Sequence, residues 1–189
     1  MILNLERGLT IGYNKRAVAT LTDLNEPLTL PVADFDQILL LDVIEHLRDP
    51  EAFLEGLWNR LGAHRAEVLL TTPNVAFLGT RIMLLLGQFN YGETGILDRT
   101  HTRLFTLGSL KDLVTESGFE ISEVVGIPAP FPKVIPHRKL AHALLRFHQL
   151  LIGVAPRLFA YQILVVAKNR QHPRHVLVQT RASAYVEAA

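Results

Sequence analysis

The chain has 189 residues, of which 49% are hydrophobic and 20% are charged, and its formal net charge at pH 7 is +1. These values predict a single domain with a sizeable core, and they give no support for a nucleic-acid-binding protein, which usually carries a strong basic excess. The sequence contains no cysteine, which excludes both a disulfide framework and a thiolate metal site.

The hydropathy pattern predicts neither secretion nor a membrane anchor. The first residues lack the basic and then apolar arrangement of a signal peptide. No run of about 18 uncharged apolar residues occurs, so we expect no transmembrane segment. The default expectation is therefore a cytoplasmic protein.

The first part of the chain contains two candidate strands separated by an irregular segment. Residues 9–14 form a short strand candidate, residues 15–21 could form one or two helical turns, and residues 23–31 are interrupted by prolines. Residues 37–41 are apolar after Gln37 and show no alternation, which is typical of a parallel strand that is covered on both faces.

Two acids and a histidine follow this buried strand. Asp42 comes directly after it, and Glu45 and His46 stand three and four residues later. If the strand passes into a helical turn, the three side chains share one face. Because ligands of open α/β sheets bind at the carboxyl ends of strands, the sequence predicts a functional site here.

Strand and helix patterns alternate through the rest of the chain, which predicts the α/β class. The predicted helices are residues 50–61, 75–87, 106–117 and 137–153, and the predicted strands are residues 67–72, 119–127 and 159–167. The long polar and glycine-containing connection 88–105 is expected to be a functional loop or a lid. We expect one domain over residues 1–168, followed by a flexible polar tail over residues 169–189.

The predicted helix 137–153 is basic and amphipathic. Its cationic and histidine residues are His137, Arg138, Lys139, His142 and Arg146, and its other side carries Leu140, Leu144, Phe147 and Leu151. An ordinary surface helix that covers the sheet explains this pattern. A peripheral membrane contact, or a lid over a lipidic substrate, explains it as well.

Three segments carry a family resemblance. Residues 35–50 contain the pattern Asp-x-x-Glu-His-Leu-x-Asp-Pro, residues 69–74 read Leu-Leu-Thr-Thr-Pro-Asn, and residues 98–106 contain His-x-Arg-x-Phe-Thr. Together they resemble class I S-adenosylmethionine-dependent methyltransferases, in particular the branch that includes the ubiquinone-biosynthesis O-methyltransferases. The resemblance covers residues 9–168. It implies a Rossmann-like sheet with helices on both faces and an antiparallel C-terminal strand, and methylation of a small or lipidic hydroxylated acceptor.

The resemblance also implies where the cofactor would bind. The family opens with a strand and a glycine-rich turn that hold the methionine part of S-adenosylmethionine, but no Gly-x-Gly pattern occurs in this sequence. If residues 9–14 align with the second strand of the family, its first strand and first helix are expected upstream of Met1. Asn14 then stands where the family usually has an acidic residue that holds the ribose hydroxyls.

Four further residues match cofactor-binding positions of the family. Asp23 and Leu24 resemble the pair that contacts the adenine amino group and the adenine ring. Leu41 and Asp42 match the end of the strand that lines the cofactor cavity.

Asp42, Glu45, His46 and His101 resemble a metal-binding set of two acids and two histidines found in some relatives, including small-RNA 2′-O-methyltransferases and a mitochondrial quinone O-methyltransferase. Mixed carboxylate and imidazole ligands suit Mg²⁺, Mn²⁺ or Zn²⁺. In a second hypothesis His46 is a catalytic base whose ring is oriented by Glu45 or Asp42. In a third, these residues only shape the pocket.

Two classes of function therefore remain open at the level of sequence. The first is a methyltransferase, and the second is a non-catalytic, methyltransferase-like module that binds a partner chain. The absence of a glycine-rich turn favours the second if Met1 is the true start of the protein. It also argues against a nucleotide-dependent dehydrogenase, which would need the same turn.

Overall fold

The computed structural model describes residues 2–4, 9–11 and 32–169. The predicted helical turns at 15–21, the cofactor candidates Asn14, Asp23 and Leu24, and the tail from residue 170 onward lie outside the described residues.

The described strands form one mixed sheet. They are β1 (Ile2–Asn4), β2 (Leu9–Ile11), β3 (Gln37–Leu41), β4 (Glu67–Pro73), β5 (Phe119–Ile127) and β6 (Gln162–Asn169). Their order across the sheet is β2-β1-β3-β4-β6-β5. The strands β1, β3 and β4 are parallel, whereas β6 is antiparallel to both of its neighbours, and β2 is antiparallel to β1. The predicted α/β class and the antiparallel last strand are confirmed.

Helices connect these strands. They are α1 (Pro50–Leu61), α2 (Leu78–Leu85), α3 (Leu107–Glu116), α4 (Phe131–Val134), α5 (Arg138–Val154) and α6 (Pro156–Phe159), with short 3-10 turns at Val32–Asp34 and Ile44–His46. Within the described ranges, none of them is long and apolar enough to cross a membrane.

The strand β3 is buried on one face and opens to solvent at its end. Ile38 and Leu40 are completely buried, but Leu41 is 39% exposed. The prediction of full cover on both faces is therefore wrong at Leu41, because this last residue of the strand lies at the carboxyl edge of the sheet. An open space at that edge is what a ligand site needs.

The start and end of α1 follow the predicted signals. The Asp49 side chain accepts a hydrogen bond from the Ala52 amide at 2.8 Å, and Pro50 occupies the first helical position, where no N–H is required. The helix ends at Gly62, whose φ of 53° is easily adopted by glycine.

The helix α2 begins three residues later than predicted, because Asn74 forms a turn. Its side-chain oxygen accepts from the Ala76 amide at 3.1 Å, and its side-chain nitrogen donates to the Ala160 oxygen at 2.8 Å. The backbone amide of Asn74 also donates to the Tyr161 oxygen at 2.9 Å. This buried amide thus joins the end of β4 to the start of β6.

The last strand also differs from its predicted bounds of 159–167. Pro156 starts the short helix α6, so the strand begins only at Gln162. It continues to Asn169, whose side chain donates to the oxygens of Gly62 and His64 at 3.0 and 2.8 Å. The strand is therefore fixed at its far end by the residues that follow α1.

The inner face of α5 is formed by Ala141, His148 and Ile152, which are buried. The helix does pack on the sheet, but its predicted apolar side is only partly turned inward. Leu144 and Leu151 are half-buried, whereas Leu140 and Phe147 are 50% and 58% exposed. His148 can be buried on the inner face because both of its ring nitrogens have hydrogen-bond partners. Its Nδ1 accepts from the Ala129 amide at 3.2 Å, and its Nε2 donates to the Phe159 oxygen at 2.7 Å.

Gly118, between α3 and β5, provides a test of the packing. Its φ is 92°, and an added Cβ would lie 2.8 Å from Nε1 of the Trp58 ring. We expect Gly118→Ala to lower the free energy of unfolding by about 2 kcal/mol, measured by urea denaturation. Gly56→Ala is the matched control, because no atom lies within 4 Å of its added Cβ. It should stabilise the protein by up to about 1 kcal/mol. Equal effects of the two substitutions would contradict this account.

Candidate functional site

The carboxyl ends of β3 and β4 meet the start of β6 at Asp42. The Asp42 amide donates to the backbone oxygen of Thr71 at 3.2 Å, and Asp42 Oδ1 accepts from the Thr71 hydroxyl at 3.0 Å. The same Oδ1 accepts from Gln162 Nε2 at 3.0 Å. Asp42 has a φ of 52°, a left-handed conformation that aspartate adopts more readily than most residues. This conformation turns the chain out of the strand and toward the turn Ile44–His46.

Glu45 is the most unusual residue of this turn. Its side chain is 2% exposed, and neither carboxyl oxygen has a hydrogen-bond partner. Burial raises the pKa of Glu45 to about 8, and the charge of Asp42 adds to the increase. The nearby backbone amide of Glu45 and, more weakly, the Thr72 hydroxyl lower this pKa in part, although neither forms a hydrogen bond of normal geometry with the carboxyl. A buried carboxyl without partners is costly, so its presence at the edge of a sheet points to a functional role.

Two histidines lie beside this carboxyl. His46 Nδ1 is 3.1 Å from the Thr100 oxygen, and His101 Nδ1 is 3.0 Å from the Ile96 oxygen. Because a backbone oxygen can only accept, each Nδ1 carries a hydrogen, which leaves Nε2 of the neutral ring with a free lone pair. The two rings are 4.8 Å apart at an angle of 69°. Each imidazole can therefore accept a proton or bind a cation through Nε2.

Backbone hydrogen bonds hold the loop 88–105 against the turn. The Glu45 oxygen accepts from the amides of Thr102 and Arg103 at 2.9 and 3.0 Å. The Thr102 hydroxyl donates to the Leu47 oxygen at 2.7 Å. These contacts bring His101 to Glu45 although the two residues are far apart in sequence.

The structure brings together three of the four predicted metal-binding residues. One ligand atom from each of Glu45, His46 and His101 lies within 4.8 Å of the others. Asp42 is not part of this group, and its Oδ1 accepts from Thr71 and Gln162 instead. A carboxylate and two imidazoles suit a divalent cation, and a cation would provide the partner that the Glu45 carboxyl lacks.

Tyr161 and Gln162 lie at the site but carry no signal in the sequence. The strand register pairs Gln162 with Pro73, which positions both residues at the carboxyl end of β4. Burial and, secondarily, the charge of Asp42 raise the pKa of the Tyr161 phenol. The Tyr161 hydroxyl is 3.4 Å from the point where a Cβ on Gly95 would lie, so it contacts the loop over the site.

Comparison with known proteins identifies the family. The profile of a methyltransferase domain family matches residues 10–124. The chain belongs to this methyltransferase family. No curated protein matches it significantly.

Several solved structures share the Rossmann-like fold of S-adenosylmethionine-dependent methyltransferases at 15% sequence identity. A possible histamine N-methyltransferase from Thermotoga maritima has a TM-score of 0.53, with 79% of this chain and 62% of that chain covered. A SAM-dependent methyltransferase from Archaeoglobus fulgidus has a TM-score of 0.50 and coverages of 82% and 68%. The small RNA methyltransferase HEN1 also has a TM-score of 0.50, and the chain covers only 16% of its length.

The pH dependence of stability tests the environment of Glu45. Between about pH 5 and pH 8 the folded methyltransferase retains a proton on Glu45 that the unfolded chain releases, so the free energy of unfolding should decrease as the pH rises. Without divalent cations, the free energy of unfolding of Glu45→Gln should decrease by about 3 kcal/mol less than that of the wild type over this pH range. Urea denaturation at several pH values measures this difference. Glu120→Gln, a change of an exposed carboxylate, is the control and should behave as the wild type does. Parallel pH curves for wild type and Glu45→Gln would show that Glu45 is not a buried acid.

Proposed function

We propose that this methyltransferase transfers a methyl group from S-adenosylmethionine to the hydroxyl oxygen of a small or lipidic acceptor. The observation that carries this proposal is the buried carboxyl of Glu45 beside His46 and His101 at the carboxyl edge of the sheet. Such a combination of a basic group and a candidate cation site suits a reaction in which a hydroxyl must lose its proton.

The cofactor is expected at the end of β3. Leu41 is partly exposed there, and Asp42 turns the chain away from the strand, which leaves space for a ligand. Asn14, Asp23 and Leu24 are the other proposed cofactor contacts. Methyl transfer from a sulfonium is an in-line displacement, so alignment of the methyl group with the acceptor oxygen supplies most of the acceleration.

His46 is the proposed base. A phenolic hydroxyl has a pKa of about 10, so its oxygen attacks faster once its proton is removed. His46 Nε2 would take that proton while the acceptor oxygen bonds to the methyl carbon and the sulfur leaves as a neutral thioether. The contact between His46 Nδ1 and the Thr100 oxygen supports this role, because it fixes the tautomer and the orientation of the ring. In this proposal Thr100, rather than Glu45 or Asp42, orients His46.

Glu45, His46 and His101 would hold a divalent cation if one binds. A cation there would supply positive charge that favours the oxyanion form of the acceptor hydroxyl. Binding requires Glu45 to lose its proton, so the affinity should increase as the pH rises toward about 8. Thr100 and Ile96 would hold the histidine rings through Nδ1, as groups behind metal ligands usually do.

Cofactor binding can be measured by calorimetric titration with S-adenosylhomocysteine. We expect a dissociation constant in the micromolar range for the wild type. Leu41→Arg should remove the binding heat, because a long cationic side chain would fill the space at the end of β3. Leu85→Arg is the matched control, since Leu85 is 86% exposed on α2 and is not among the proposed cofactor contacts. No binding by the wild type would leave the non-catalytic module as the better account of this chain.

Cation binding has a separate test. We expect Mn²⁺ to bind the wild type with a calorimetric signal that Glu45→Gln and His101→Ala weaken by at least about tenfold. His142→Ala, on the exposed side of α5, is the control and should have no effect. Methyl transfer that continues at its full rate in excess chelator would contradict the cation and leave His46 as the base. Loss of activity in chelator with recovery on Mn²⁺ addition would support it.

A further inference from the structure

The outer face of α5 presents an apolar stripe to solvent. Leu140, Phe147, Leu150 and Val154 are 50%, 58%, 70% and 84% exposed. Together with Ala143 they recur at alternating spacings of three and four residues, which is the repeat of one helix face. Exposed apolar side chains that form a continuous stripe usually mark an interaction surface.

A basic strip borders this stripe. Arg138, Lys139, His142 and Arg146 line one open depression on the outside of the helix. Residues 138–154 contain no aspartate or glutamate, so no acid of the helix neutralises these charges. The surface therefore combines exposed apolar side chains with basic side chains that attract anions. Helices that lie in the plane of a membrane interface have the same combination.

The orientation of α5 is fixed by its opposite face. His148 is hydrogen-bonded through both ring nitrogens, to the Ala129 amide and the Phe159 oxygen. A Cβ added to Gly126 of β5 would lie 2.6 Å from Ile152 Cγ2, so helix and strand are in close contact. Rotation of the helix that buried the stripe would break these contacts. The stripe is thus held outward by the fold.

We propose that α5 docks on a bilayer that contains anionic phospholipids. The apolar stripe would enter the boundary between headgroups and acyl chains, and Lys139 and Arg146 would reach the phosphates. A second copy of this chain is a poorer occupant. Apposing two α5 helices would bring like charges together with no acidic residue on either helix to pair with them. This inference goes beyond the proposed function and does not depend on methyl transfer.

Vesicle flotation tests the proposal with the full chain. We expect it to float with vesicles of phosphatidylcholine and phosphatidylglycerol, and much less with phosphatidylcholine alone. Lys139→Glu/Arg146→Glu should weaken binding at least about tenfold. The control Arg65→Glu/Lys111→Glu changes the net charge equally at exposed positions outside α5 and should leave binding nearly unchanged. Phe147→Ser/Leu150→Ser should also weaken binding, with an unchanged thermal midpoint as the check on folding.

Three results would overturn the proposal. The first is equal loss of binding in the α5 charge variant and its control, which would show a non-specific effect of net charge. The second is equal binding to neutral and anionic vesicles. The third is no vesicle binding by a wild type that sediments as a dimer and becomes monomeric in Phe147→Ser/Leu150→Ser, which would make the stripe a protein interface.

Discussion

The site depends on the backbone oxygen of Glu45. By accepting from the amides of Thr102 and Arg103, this oxygen joins the turn after β3 to the loop 88–105. The Thr102 hydroxyl, which donates to the Leu47 oxygen, and the contact between His46 Nδ1 and the Thr100 oxygen strengthen the same junction, so that His101 is held near His46. Main-chain hydrogen bonds therefore hold the loop against the turn, while the Nε2 atoms of His46 and His101 keep their lone pairs for chemistry.

The turn after β3 contains two carboxyl groups in contrasting environments. The Glu45 carboxyl is buried without a partner, while the neighbouring Asp42 carboxylate has two donors. Glu45 stays protonated near neutral pH because burial raises its pKa. Two carboxyl groups in different environments can serve different purposes, one structural and one reserved for a proton or a cation. The fully buried neighbours Ile44 and Leu47 contribute the packing that offsets the cost of Glu45.

Local signals predicted the framework well and the long-range contacts poorly. The capped start of α1 at Asp49 and the bounds of β3 and β5 follow from short patterns, and the structure agrees with them. Tyr161 could not be connected to the site from sequence, since only the antiparallel register of β6 against β4 brings it there. The inner face of α5 was misjudged because a polar residue, His148, is buried there. Hydrophobic patterning places polar residues outside because burying a polar group without partners costs free energy. The two hydrogen bonds of His148 remove that cost.

The inner face of α5 contacts residues that lead to the site. The Phe77 ring lies 6.0 Å from the His148 ring and 5.5 Å from the Tyr161 ring, in edge-to-face arrangements. These three rings form a packed path from the helix to the residue beside Asp42. Because Phe147 and Leu150 point away from that path, changes in the stripe leave the rings in place. The proposed bilayer contact of α5 can therefore be changed without changing the packing of the rings beside the site.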